Sequence, residues 1–126
     1  MKFSLNSIIL FVQDTEKLKQ FYTTFLKLEV IEETKSEWVL LKSGNCSIGL
    51  HKAGVEYQVS EDEEINHESN TKIVFDTDMD IFKIREEFLK NDVKMREIRT
   101  FENYDYQLCD GEDPEGNVFQ IRQKKK

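Results

Sequence analysis

Apolar residues along this chain change their period at regular intervals, and each change marks an element. Ile8, Ile9, Leu10, Phe11 and Val12 form an apolar, β-branched run of strand length, and Asp14 and Thr15 follow as candidate helix caps. Leu18, Phe21, Tyr22 and Phe25 then recur at i, i+3, i+4 and i+7, the stripe of an amphipathic helix. Leu28, Val30 and Ile31 lead into a second strand. Trp38, Val39, Leu40 and Leu41 predict a third, and Cys46, Ile48 and Leu50 a fourth, joined across a Ser43-Gly44-Asn45 turn. The first half of the chain therefore reads β-α-β-β-β.

The second half repeats the order. Ile73, Val74 and Phe75 predict a strand, Asp78 and Asp80 stand where a cap belongs, and Ile81, Ile84, Phe88 and Leu89 mark a helix. Val93, Lys94 and Met95 resume after it. Strands are then expected from Tyr104 to Cys109 and from Asn117 to Ile121, split by the turn signal Asp113-Pro114-Glu115-Gly116. A repeat of roughly sixty residues that occurs twice is better explained by duplication of a βαβββ module than by a solenoid. The reading is a single domain over 1–126: module one is 1–53, an acidic linker 54–70, module two 71–123 and a basic tail 124–126. The linker, with Glu61, Asp62, Glu63 and Glu64 in succession, is expected to be solvated, the alternative being an acidic lid over a ligand.

Composition narrows the class. Of the 126 residues 38% are hydrophobic and 34% charged, the balance of one folded domain rather than of a disordered chain. No stretch approaches the ~20 apolar residues that span a bilayer, and residues 1–11 lack the pattern of a signal peptide, so a cytoplasmic location and no membrane partner are expected. The two cysteines, Cys46 and Cys109, are too few for a secreted disulfide scaffold and are expected to be reduced, buried thiols. A net charge of −7 argues against nucleic acid as a partner, because phosphate backbones are held by surplus Lys and Arg. The basic residues at the end, Lys124, Lys125 and Lys126, read as a frayed tail.

Three segments carry a family resemblance. Ile8-Ile9-Leu10-Phe11-Val12-Gln13-Asp14 with Lys17-Leu18 and Phe21-Tyr22 resembles the first strand, Asp turn and helix of the vicinal-oxygen-chelate superfamily, which comprises glyoxalases, bleomycin-resistance proteins and dioxygenases. Ile73-Val74-Phe75 with Asp78 resembles the start of that family's second module. Asp113-Pro114-Glu115-Gly116-Asn117 resembles its final turn. The resemblance implies an α+β fold of two tandem βαβββ modules, whose eight-stranded mixed sheet curls around a concave pocket with helices outside. It also implies a homodimer.

Enzymes of that family hold a divalent metal with His, Glu or Gln at four positions, which the resemblance places at Ser7, Gly49, Lys72 and Gln120. Serine is a poor ligand unless deprotonated, glycine has no side chain and an ammonium group repels a cation, so Gln120 alone could coordinate. No metal and no other cofactor is therefore expected, unless the ligand positions lie elsewhere. Strand alternation puts Ile9 and Phe11 on the face of Ser7, Val74 and Asp76 on that of Lys72, and Val118 and Arg122 on that of Gln120. Leu10, Val12, Ile73, Phe75, Phe119 and Ile121 then face the helices. The candidate ligand-binding residues are Ser7, Phe11, Trp38, His51, Lys72, Asp76, Tyr104, Tyr106 and Gln120, an aromatic cup with a few polar groups. Asp76 and Lys72, four residues apart on one face, are expected to neutralise one another. Cys109 is not read as a nucleophile, since the acidic neighbour Asp110 disfavours its thiolate.

The reading that follows is a metal-independent small-molecule-binding homodimer of bleomycin-resistance type, with a cationic or aromatic ligand. Its alternatives are a metal-dependent lyase, isomerase, dioxygenase or thiol transferase of the same superfamily, and an interaction protein with a vestigial pocket. Catalysis stays open, and no catalytic residue is assigned.

Overall fold

A computed structural model of the chain describes residues 2–59 and 71–126. The acidic run Glu61, Asp62, Glu63 and Glu64, the lid reading attached to it, and His67 lie outside the described residues. The chain forms two compact units, Met1–Ile65 and Asn66–Lys126.

In the first unit β1 (Ser7–Val12) is followed by α1 (Thr15–Thr24), then by β2 (Glu29–Thr34), β3 (Trp38–Ser43) and β4 (Cys46–Lys52). The strands order as β1-β4-β3-β2, with β1 parallel to β4 and the other pairs antiparallel. Asp14 is the N-cap of α1, its carboxylate accepting from Lys17 N–H at 3.1 Å. At the other end Lys27 takes φ 58°, and Leu28 N–H bonds the Tyr22 carbonyl at 3.1 Å, closing the helix in the manner of a Schellman turn. The stripe Leu18, Phe21 and Tyr22 is buried, as are Val12, Val39, Leu41, Ile48 and Leu50 on the sheet. Those sheet residues share one face by alternation, and burial of that face on α1 supplies the main driving force for the unit.

The second unit repeats the plan with β5 (Ile73–Thr77), α2 (Ile81–Lys90), β6 (Lys94–Met95), β7 (Arg99–Thr100), β8 (Tyr106–Glu112) and β9 (Val118–Lys124). Its order is β5-β9-β8-β6, with β7 also on β8, and β5 runs parallel to β9. The helix is again capped by an aspartate, Asp80, which accepts from Phe82 N–H at 2.9 Å. It closes with Asp92 at φ 62° and a bond from Val93 N–H to the Phe88 carbonyl at 3.0 Å. Gln123 on β9 reaches across to accept from Ile81 N–H at 2.8 Å, satisfying a buried donor of the first helical turn. Ile81, Phe88, Cys109, Phe119 and Ile121 are buried. Gly111 is required here, because a Cβ at this position would overlap Met95 and Phe119.

The α+β architecture of paired βαβββ modules is as expected, with three differences in detail. The strand after α2 is broken into β6 and β7, which makes nine strands among the described residues. The break comes at Arg96, whose carbonyl is taken by Arg85 Nε at 2.9 Å and approached by Cys109 Sγ at 3.3 Å instead of by the ladder. The strand expected from Tyr104 starts at Tyr106, because Asn103 at φ 64° closes a turn in which Tyr104 N–H bonds the Phe101 carbonyl. The basic tail is held: Lys124 ends β9, and Lys125 donates its backbone N–H to Asp105 O at 2.6 Å and its Nζ to Phe101 O at 3.1 Å. Both cysteines are free, Cys109 buried and Cys46 only half-buried. Burial, first of all, pushes the Cys109 thiol pKa up, and Asp110 adds to it against the pull of Arg85, so the residue suits packing rather than nucleophilic attack.

Candidate functional site

Each sheet has one face under its helix and one face away from it, and the open faces carry the polar and aromatic side chains. On the first unit three neighbouring strands bring Phe11, His51 and Trp38 into one row, since Phe11 pairs with His51 and His51 with Trp38. The Phe11 and His51 rings lie 5.3 Å apart between centroids, and those of Trp38 and His51 6.0 Å apart. His51 Nδ1 is 2.7 Å from the Lys52 carbonyl, which orients the ring. Trp38 Nε1 donates to Glu32 at 2.7 Å, so the polar edge of the indole is satisfied and its apolar body lies over the next row. Ser7 sits on the same face at the start of β1, opposite Ser47.

On the second unit the open face is organised by two carboxylates. Asp110 on β8 pairs in register with Gln120 on β9, which pairs with Val74 on β5. Gln120 Nε2 donates to Asp110 Oδ1 at 2.9 Å, and Lys72 Nζ to Oδ2 at 2.8 Å. Arg99 adds a contact at 3.2 Å and Arg96 one at 3.6 Å, both to Oδ2. Burial works to raise the Asp110 pKa, but the hydrogen bonds from Lys72 and Gln120 and the charges of Lys72 and Arg99 outweigh it and hold the carboxyl below its ordinary value.

The second carboxylate, Asp76, pairs with Arg122 through a two-pronged contact at 2.6 and 3.1 Å, and this holds its pKa down. The guanidinium of Arg122 lies 4.0 Å from the centroid of the Tyr106 ring, and Tyr104 stands 5.6 Å from Tyr106. Asp76 and the Tyr104 hydroxyl together keep Arg122 charged. Asp76, Asp78, Met79, Tyr106, Arg122 and Lys124 line a cleft of about 540 Å³. Asp76 and Lys72, expected to neutralise one another, do not; each has found a closer partner across the sheet.

The predicted site residues thus gather into three groups: Phe11, Trp38 and His51 in one row; Lys72 and Gln120 on Asp110; and Asp76, Tyr104 and Tyr106 around Arg122. Ser7 lies apart from them, at the start of β1. Reading the sequence missed Asp110, Arg96 and Arg99 as parts of the site. A signal for Asp110 existed, since the turn bond from Asp113 N–H to Asn117 O fixes a hairpin register that sets Asp110 opposite Gln120.

Within each unit, the residues at the positions that the resemblance gives to metal ligands make a poor donor set. A Cβ at Gly49 would fall on the indole ring of Trp38, so Trp38 fills the space where a ligand side chain would stand. The ammonium of Lys72 and the amide nitrogen of Gln120 are both donated to Asp110. Ser7 remains, a neutral hydroxyl. Among the described residues no group of three or more His, Cys, Asp or Glu side chains is placed to hold a metal.

The chain belongs to the glyoxalase/bleomycin resistance protein/dioxygenase superfamily, whose family model matches residues 4–121. No curated protein matches the sequence. Among solved structures it is similar to the fosfomycin resistance protein FosX from Listeria monocytogenes, with a TM-score of 0.77 and 15% identity over 98% of this chain and 94% of that one. It is similar too to TnmS3, an antibiotic binding protein from Streptomyces sp. CB03234 (TM-score 0.75, 18% identity, 98% of each chain). A third is lactoylglutathione lyase from Agrobacterium tumefaciens (TM-score 0.74, 15% identity, 95% of this chain and 92% of that one). At these identities the likeness is one of fold. Among the described residues no helix is long and apolar enough to cross a membrane.

Proposed function

We propose that this protein is a metal-independent small-molecule-binding member of its superfamily that works as a homodimer in the cytoplasm. One observation supports the reading: side chains at the positions that the resemblance gives to metal ligands are engaged within the protein itself. An indole ring lies over Gly49, and Lys72 and Gln120 are both spent on Asp110. A divalent ion brought to Lys72 and Gln120 would meet an ammonium group and an amide whose nitrogen is already donated, with only the neutral amide oxygen of Gln120 offering lone pairs. Enolate stabilisation or activation of a metal-bound group has no support in such a donor set.

What the faces offer instead is ring contact. Phe11 is 63% exposed and Ile9 46%, beside the Trp38 and His51 rings, a surface suited to a planar apolar ligand. Of the two ligand classes expected from the sequence, cationic and aromatic, the second is the better match. Both carboxylates of the second open face are held by cations, and Arg122 already covers the Tyr106 ring where a cationic ligand would stack. The TnmS3 neighbour, an antibiotic binding protein, fits a binding role without deciding its ligand. Two free thiols suit a reducing compartment.

Elemental analysis of the purified protein followed by calorimetric titration with Ni²⁺, Zn²⁺ and Mn²⁺ tests this reading. No stoichiometric heat is expected. A tight site of one ion per chain, lost in Gln120→Ala or His51→Ala, would overturn it in favour of a metal-dependent enzyme.

A further inference from the structure

Asp110 is one carboxylate in the company of three cations. Lys72, Arg99 and Arg96 approach the same oxygen, Oδ2, at 2.8, 3.2 and 3.6 Å, while Gln120 donates to Oδ1. The Asp110 side chain is 4% exposed, whereas those of Lys72, Arg99 and Arg96 are 37, 50 and 58% exposed. Lys72 and Gln120 by themselves satisfy the buried carboxylate, with a charged donor on one oxygen and an amide on the other. The two arginines are then a surplus.

The excess is electrostatic as well as geometric. Three positive charges against one negative leave two uncompensated, on a chain whose overall charge is −7. Cations drawn to one point repel one another, and a second anion relieves that repulsion. Each guanidinium carries five N–H donors, yet each meets Asp110 through a single nitrogen, leaving donors directed to solvent. Glu97, an acidic residue between the two arginines, pairs with Arg85 at 3.3 Å instead.

From this we infer that Lys72, Arg96 and Arg99 form an oxyanion subsite, for which a phosphoryl dianion on a small molecule is the charge match. Asp110 and Gln120 are its positioning residues: they gather the cations and touch no ligand. The inference rests on the reading of the open faces as a ligand surface. The ligand it names is a small molecule with an acidic oxyanion group, a class that the acidic composition of the chain does not suggest.

The test is calorimetry at low ionic strength with phenyl phosphate, inorganic phosphate and, as the neutral counterpart, phenol. Phenyl phosphate is expected to bind at least about tenfold more tightly than phenol, as charge-assisted bonds to a guanidinium predict. Its affinity should rise through about pH 6, where a phosphate monoester becomes a dianion. The double variant Arg96→Gln/Arg99→Gln should lose the preference, and each single variant should lose part of it. The exposed arginine side chains keep these variants foldable, with Lys72 and Gln120 still on Asp110. Equal affinities for phenyl phosphate and phenol, a preference that survives the double variant, or no binding of either phosphate would overturn the subsite. Phenol bound without any phosphate preference would sink the subsite and leave the aromatic ligand surface standing. A stoichiometric metal site would sink the metal-independent reading, with the phosphate series still judging the cluster.

Discussion

At the scale of the residue, Asp110 shows how a buried carboxylate is kept charged. Burial alone favours its protonated form, yet Lys72, Gln120 and Arg99 hold its pKa below the ordinary value of 3.8. A carboxyl whose native pKa lies below its unfolded one stabilises the fold above the unfolded value, and that stability is lost as the pH falls through the native one. Acidification below about pH 4 should therefore lower the melting temperature of the wild-type protein more steeply than that of Asp110→Asn. At neutral pH the variant should be the less stable, because three cations are left facing one another, and the gap should narrow with acid. Thermal melts followed by circular dichroism between pH 7 and pH 3 read this directly; parallel curves would mean that Asp110 does not titrate with folding. His51 and Trp38 make a related point. His51 Nδ1 and Trp38 Nε1 are engaged by Lys52 O and Glu32, so the indole presents ring surface and the imidazole its ring with Nε2.

At the scale of the element, the two helices are anchored alike. Each begins on an aspartate, Asp14 or Asp80, and ends on a residue of positive φ, Lys27 or Asp92, which turns the chain into the next strand. The second helix has one anchor more, the Gln123 side chain that accepts from Ile81 N–H in a buried setting. Gln123→Ala removes the acceptor and leaves a donor without water or partner, at a cost of about 1–3 kcal/mol. Asp80→Ala should cost about 1 kcal/mol, the usual loss of an exposed cap. Urea denaturation of the two variants checks the order, and a larger loss for Asp80→Ala would mean that the Gln123 contact is incidental. The caps and the apolar stripes were legible in the sequence because they are local, each set by residues within two turns of one another. The break between β6 and β7 was not. It depends on the carbonyl of Arg96 meeting Arg85 on the helix and Cys109 on β8.

At the scale of the whole molecule, the proposed assembly is a dimer. Apolar side chains on the open faces, Ile9, Phe11 and Val74, are 46, 63 and 49% exposed in the single chain, so the molecule has apolar surface to share with a second copy or a ligand. Light scattering coupled to gel filtration should give about twice the chain mass of 15.0 kDa. A monomeric mass at micromolar concentration would restrict the proposal to a single-chain binder. The two-module plan and the family could be read from the chain, because they depend on which residue types recur and in what order.

By itself, then, the sequence determined the periodicities, the caps and turns, and the residue types at the positions that the resemblance gives to metal ligands. These are properties of neighbours along the chain or of single side chains. The tertiary structure alone decided the partners. Lys72 and Asp110 are 38 residues apart and Arg122 and Asp76 are 46 apart, and each pair meets because parallel and antiparallel strand registers place them on one face. A shared face made Asp76 the expected mate of Lys72. Residues four apart on one face of an extended strand stand about 13 Å from each other, farther than neighbours across the ladder, and the cross-strand contacts won. The same registers drew Arg96 and Arg99 to Asp110, and so gave an acidic chain its concentrated positive site.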